Sequence, residues 1–149
     1  MSPEQVGQRV CDAFDEFAAH RPSTGSWEEL RQQLLEWFVQ VEEQSAFEGM
    51  LWVLEHSRRY QHQQLAGELL AQRGLPLSIP PREFLRRIAP TFDASASEVV
   101  KYFSSQVGRE SAQREIRLLA EEITNDPARS GLRSISYWLG MTDTVPTDS

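Results

Sequence analysis

The sequence predicts an all-α fold of seven to eight helices stacked as antiparallel helical hairpins. Three observations carry this. Apolar residues recur at three- and four-residue spacing along almost the whole chain, whereas strict alternation is nearly absent. Three S-x-x-E segments have the form of a capping box, which marks a helix start. The breaks between periodic segments are mostly short, and short connections favour antiparallel neighbours.

The first helix is expected to begin at Ser2-Pro3-Glu4, an N-cap followed by proline and an acid in the first turn. Val6, Val10, Phe14 and Phe17 form its apolar stripe, and residues 21–25 (Arg-Pro-Ser-Thr-Gly) end it. Ser26-Trp27-Glu28-Glu29 opens a second helix, whose stripe of Trp27, Leu30, Leu34, Trp37 and Val41 is widened by Leu35 and Phe38. Ser45-Ala46-Phe47-Glu48 reads as another capping box. The helix it opens is apolar nearly all round (Phe47, Met50, Leu51, Trp52, Val53, Leu54), which places it at the centre. A fourth helix is expected from about Arg58 to Arg73, with Leu65, Leu69 and Leu70 inward and Gly74 as a left-handed cap.

Residues 75–81, Leu-Pro-Leu-Ser-Ile-Pro-Pro, form an extended linker inside a single domain spanning 1–140. Pro81 then starts a short helix through Phe84, Leu85 and Ile88 that Pro90 ends. Ser95-Ala96-Ser97-Glu98 is the third box, opening a helix with Val99, Val100, Tyr102, Phe103 and Val107 that stops at Gly108. Ala112, Ile116, Leu119 and Ile123 define the next helix, closed by Asn125-Asp126-Pro127. Leu132, Ile135, Trp138 and Leu139 define the last, capped near Gly140. Residues 141–149 lack an apolar face and are expected to form a flexible tail. Trp37-Phe38 followed by Gln44-Ser45-Ala46 is echoed by Tyr102-Phe103 followed by Glu110-Ser111-Ala112, a weak internal repeat.

Leu118-Leu119, Asn125-Asp126-Pro127, Leu132-Arg133 and Leu139-Gly140 resemble the second half of a HEAT-type repeat, with the aliphatic-arginine pair one residue late. The resemblance covers about 25 residues and does not recur at the roughly 40–47-residue period of such arrays. It implies a HEAT-like helical stack and a scaffold role, and it transfers no catalytic residue.

Of 149 residues, 40% are hydrophobic and 25% charged, an ordinary globular composition of one-domain size. No run of about 18 apolar residues could cross a membrane. The start has neither the basic nor the apolar region of a secretory signal, so a cytoplasmic location is expected. The lone cysteine, Cys11, excludes an intramolecular disulfide. The net charge of −7 is unevenly spread: residues 1–56 carry three cations against eleven carboxylates, residues 57–149 twelve against eleven. Such a field repels phosphate backbones and steers basic partners.

Reactive constellations are hard to find. The residues three before His20, His56 and His62 are Phe17, Val53 and Arg59, so no Glu-x-x-His metal motif exists, nor an H-E-x-x-H helix. There is no glycine-rich phosphate loop and no G-x-S-x-G elbow. Cys11 beside the stripe reads as a small buried hydrophobe. The Arg82, Arg86, Arg87 cluster with Arg58-Arg59 could reach phosphates, but the pI near 5.0 argues against a nucleic-acid protein. These arginines are expected instead to pair with carboxylates of the first three helices.

The sequence therefore points to a non-enzymatic domain that needs no cofactor and no metal and binds another protein with a basic surface. An immunity- or antitoxin-type inhibitor of a basic toxin fits, as does an adaptor, and a homo-oligomer stays open. The expected partner-binding residues are Asp12, Asp15, Glu16, Glu28, Glu29, Glu36, Glu42 and Glu43, with Trp52 standing off its helix's main face. Periodicity otherwise assigns all four tryptophans to core packing. The alternative is a small-molecule or enzymatic bundle with an aromatic pocket of Trp37, Phe38, Tyr102 and Phe103.

Overall fold

The computed structural model describes residues 1–20 and 26–141. The break expected at 21–25 and all but Met141 of the expected tail lie outside the described residues. Among those described there are eight α-helices, a 3-10 turn and no strand. The helices are α1 (Pro3–His20), α2 (Trp27–Phe38), α3 (Glu43–His56), α4 (Tyr60–Arg73), α5 (Pro81–Ile88), α6 (Ser97–Val107), α7 (Arg109–Glu122) and α8 (Asp126–Trp138). Ala89–Thr91 form the 3-10 turn after α5.

Local chemistry explains most of these boundaries. Ser2 and Gln5 cap α1 reciprocally, each side chain bonding the other's backbone N–H. The Ser26–Glu29 box forms in full, with both bonds near 3 Å. The other two boxes do not form. At α3 the cap is Glu42, whose carboxylate accepts the Ser45 amide at 3.1 Å, so the helix begins two residues before the expected serine. At α6 the cap is Ala96, and the Glu98 amide is taken by Gln64 Oε1 of α4 at 2.9 Å. Val41 also differs from expectation: α2 ends at Phe38, and Val41 lies in the turn before α3. Asn125 does more than close α7, because its side chain accepts the Ala128 amide and caps α8. Gly74 and Gly140 take the left-handed conformation expected of them, with φ of 72° at each.

Buried side chains from all eight helices form one contiguous core. Sequence neighbours such as α3 and α4 do pack together, yet the most extensive contacts join elements that do not follow one another in the chain: α1 with α3, α4 with α6, and α8 with the 3-10 turn. The α1–α3 crossing is close because it is built on glycines. A Cβ at Gly49 would stand 2.5 Å from Val6 Cγ1, and one at Gly7 would stand 2.6 Å from Trp52 Cε3. Trp52 thus lies over α1 as a second packing neighbour. It also stacks on His56 at 4.7 Å between ring centroids.

The proline-rich linker is fastened rather than loose. Buried Tyr102 donates its hydroxyl to Leu75 O at 2.8 Å, and Gln106 accepts the Leu77 amide. Met141, assigned to the tail from sequence, packs against the core and bonds Ser136 O. The tryptophans differ most from expectation. None is buried: Trp27, Trp37 and Trp52 pack at the core's edge, and Trp138 is 44% exposed. Their periodicity marks the inward-leaning side of each helix, but an indole at that side's border reaches solvent.

Candidate functional site

The predicted acidic residues do not form one cluster. The structure separates them into a groove, two occupied pairs and a helix-start group. The groove runs between α1 and α2, with Ala13, Phe17 and Leu30 in its floor and Glu16, Glu29 and Gln33 on its walls, enclosing about 250 Å³. Asp12 lies one turn before Glu16 on α1, and Glu36 lies one turn after Gln33 on α2, so helical spacing extends both walls. Asp12, Glu16, Glu29 and Glu36 are all exposed. None forms an ion pair with a described cation. Asp12 accepts Gln8 Nε2, and Glu29 the Ser26 amide. The arginine of α1, Arg9, is laid over the Trp37 ring at 4.6 Å.

Two expected contact residues are occupied. Asp15 accepts Arg59 at 2.6 Å and His62 Nε2 at 2.8 Å. Glu28 holds Arg31 at 2.9 Å. Glu42 and Glu43 sit at the start of α3, away from the groove. The Ser45 and Gln44 amides hold the Glu42 carboxyl below the usual carboxylate range, with a smaller contribution from Arg73. Trp52 is committed to α1, as described above.

Phe17 also forms the edge of a second and larger depression. This cleft, about 680 Å³, lies between the C-terminal half of α1, the start of α2 and α4. Its wall carries Phe14, Phe17, Trp27 and Tyr60 with Gln61, Gln64 and Glu68. Phe14 meets Trp27 edge-on at 5.4 Å. Burial pushes the Glu68 carboxyl up. Arg31 opposes the shift from 3.6 Å, and Glu98 and Glu28 reinforce it. Glu68 Oε2 and Arg31 Nε are both buried without a hydrogen-bond partner among the described residues. Sequence reasoning missed this cleft, because its wall is assembled from three helices and its aromatics read as ordinary stripe positions.

Asp15 belongs to a polar cluster that sequence reasoning also missed. His62, 5% exposed, stands between Asp15, 2.8 Å from its Nε2, and the Ser57 hydroxyl, 2.7 Å from its Nδ1. The order Ser57–His62–Asp15 has the connectivity of a nucleophile, base and orienting acid. Its surroundings are those of a structural lock. Ser57 Oγ also accepts the Arg59 amide at 3.2 Å, and the adjacent cleft has Phe14 and Arg59 in its wall but not Ser57. Buried Gln63 secures the same turn, donating to Ser57 O and Thr91 O and accepting the Asp93 amide.

Other expectations resolve simply. Phe38, Tyr102 and Phe103 are at most 1% exposed and belong to the core, with Phe103 stacked on Phe84 at 5.5 Å, while Trp37 lines a separate surface depression beside Glu42. The expected aromatic pocket is therefore solid packing. Arg87 pairs in bidentate fashion with Glu55 of α3, and Arg59 with Asp15 of α1, as expected of that cluster. Arg82 and Arg86 instead pair with α7 and with their own helix, through Glu115, Glu122 and Glu83. Among the described residues no three His, Cys, Asp or Glu side chains gather as a metal site, and no helix is long and apolar enough to cross a membrane. Comparison with known protein families, with characterised proteins and with solved structures finds no match.

Proposed function

We propose that this chain is a protein-recognition domain whose α1–α2 groove receives a basic surface of another protein, in the manner of an immunity- or antitoxin-type inhibitor. The observation that carries the reading is an apolar floor of Ala13, Phe17 and Leu30 between carboxylates of α1 and α2 that no arginine among the described residues pairs. Surface carboxylates gain little from each other and cost self-repulsion, so a basic partner gains both contact and relief of that repulsion. The apolar floor supplies area that charge alone does not.

The test is affinity capture from the native cell with the intact chain and with a variant carrying Asp12→Asn, Glu16→Gln, Glu29→Gln and Glu36→Gln. Glutamine at 29 keeps the capping box, so folding should be retained. A basic protein captured by the wild type at low salt, released at high salt and absent with the variant supports the reading. Capture that is indifferent to salt and to the four substitutions overturns it and points to an apolar adaptor.

A further inference from the structure

The cleft beyond Phe17 has a chemistry of its own. Its volume is that of a ligand site, and its wall combines aromatic faces with one carboxylate. Glu68 is under-neutralised there: Arg31 is shared between Glu68 at 3.6 Å and Glu28 at 2.9 Å, and Glu98 adds further negative charge. Glu68 Oε2 receives no hydrogen-bond donor among the described residues. The cation at the start of α4, Arg59, is spent on Asp15 at 2.6 Å and on the Phe14 face. An anion would meet Glu68 unshielded, and an apolar group would strip water from it without replacing the lost hydrogen bonds.

We infer that this cleft is the anchor pocket for an arginine side chain presented by the basic partner. A guanidinium is flat, weakly hydrated and rich in donors, so it can stack on Trp27 or Tyr60 while giving a hydrogen bond to Glu68. The chain itself uses the same pairing of guanidinium and ring at three places, Arg9 on Trp37, Arg59 on Phe14 and Arg73 on Phe38. A lysine ammonium has no plane to stack. Phe17 lines both depressions, so a partner seated in the acidic groove can place one long side chain past it into the cleft. The choice of a protein arginine rests on the proposed function; the cleft's preference for a guanidinium does not.

The experiment follows the indole N–H resonances of the intact, isotope-labelled chain, with Trp27 assigned through Trp27→Phe. The probes are N-acetyl-arginine amide, its uncharged analogue N-acetyl-citrulline amide, and agmatine. The expected result is a saturable shift of Trp27 with the arginine amide at millimolar concentration and a response to citrulline about fivefold weaker or less. Glu68→Gln and Tyr60→Ala should each weaken the arginine response by a similar factor. Tyr60 is 45% exposed, so its variant keeps the fold should Glu68→Gln unfold the chain. An unmoved Trp27, equal responses to arginine and citrulline, or unchanged binding in folded variants overturns the inference. Agmatine binding far more tightly than the capped arginine overturns the protein source and makes the cleft a small-amine site. In the fourfold groove variant the Trp27 response should persist, so failure of the groove and failure of the cleft are read separately.

Discussion

At the scale of single residues, Cys11 shows how burial sets chemistry. It is 5% exposed, and its thiol is pushed up from an ordinary value of 9.0 to about 12, first by burial and then by the negative charges of Asp15 and Asp12. The thiolate is the reactive form. Labelling by a thiol-reactive disulfide reagent at neutral pH should therefore proceed only through unfolded molecules, roughly a thousandfold or more slower than for a free thiol. Rapid stoichiometric labelling of the native chain would show the site to be open. The same shift has a sign in stability. Between pH 9 and about 12 the unfolded thiol loses its proton while the folded one keeps it, so the contribution is complete below pH 9 and declines as pH rises. Tyr102, also pushed up by burial, acts in the same direction. The urea midpoint should fall between pH 8 and about pH 10, and less steeply in Cys11→Ala.

At the scale of elements, the α1–α3 crossing and the Asp15–His62–Ser57 lock join parts of the chain that no local signal connects. Alanine at Gly49 gains up to about 1 kcal/mol of helix propensity. Its methyl would nevertheless press on Val6 at 2.5 Å, with Pro3 O only 3.2 Å away. Overpacking of this kind costs about 1–3 kcal/mol, so Gly49→Ala should lower the urea midpoint, and a gain in stability would mean that the helices can part freely. Asp15→Ala leaves buried His62 without its acceptor. Because the Asp15 side chain is 44% exposed and water can substitute in part, about 1 kcal/mol of destabilisation is expected in chemical denaturation. These elements also show what the sequence could reveal. The helices were legible because apolar spacing and the Ser26–Glu29 box act within a few residues. The boxes at Ser45 and Ser95 failed because Glu42 and Gln64 supply competing acceptors, the second of them from another helix. Half of the acidic groove could be anticipated from charge. The pairing of Asp15 with Arg59, the aromatic cleft and the surface exposure of Trp138 depend on which helices meet, and the spacing of side chains along one helix does not encode that.

At the scale of the whole molecule, the uneven charge has a consequence that ion-pair geometry makes testable. Of the eleven carboxylates among residues 1–56, Asp15, Glu28 and Glu55 pair with arginines, while the rest have no ion pair among the described residues. In the later part of the chain Glu115 and Glu122 pair with Arg82 and Arg86. Salt therefore acts on two populations with opposite signs. It screens repulsion among the early carboxylates, which stabilises the fold, and it weakens the α5–α7 pairs, which destabilises it. Exposed pairs contribute about 0–1 kcal/mol each. The Arg82 and Arg86 side chains are 37% and 44% exposed, so little is lost there. Repulsion accumulates over many charges within a Debye length of about 10 Å at 0.1 M salt. The screening of repulsion should win. The thermal midpoint at neutral pH should rise by a few degrees from about 10 mM to about 0.5 M sodium chloride. That gain should shrink in the variant carrying Asp12→Asn, Glu16→Gln, Glu29→Gln and Glu36→Gln. A midpoint that falls with salt would mean that the paired arginines outweigh the open carboxylates. The acidic groove would then be part of the fold's own charge balance, with no surplus left for a partner.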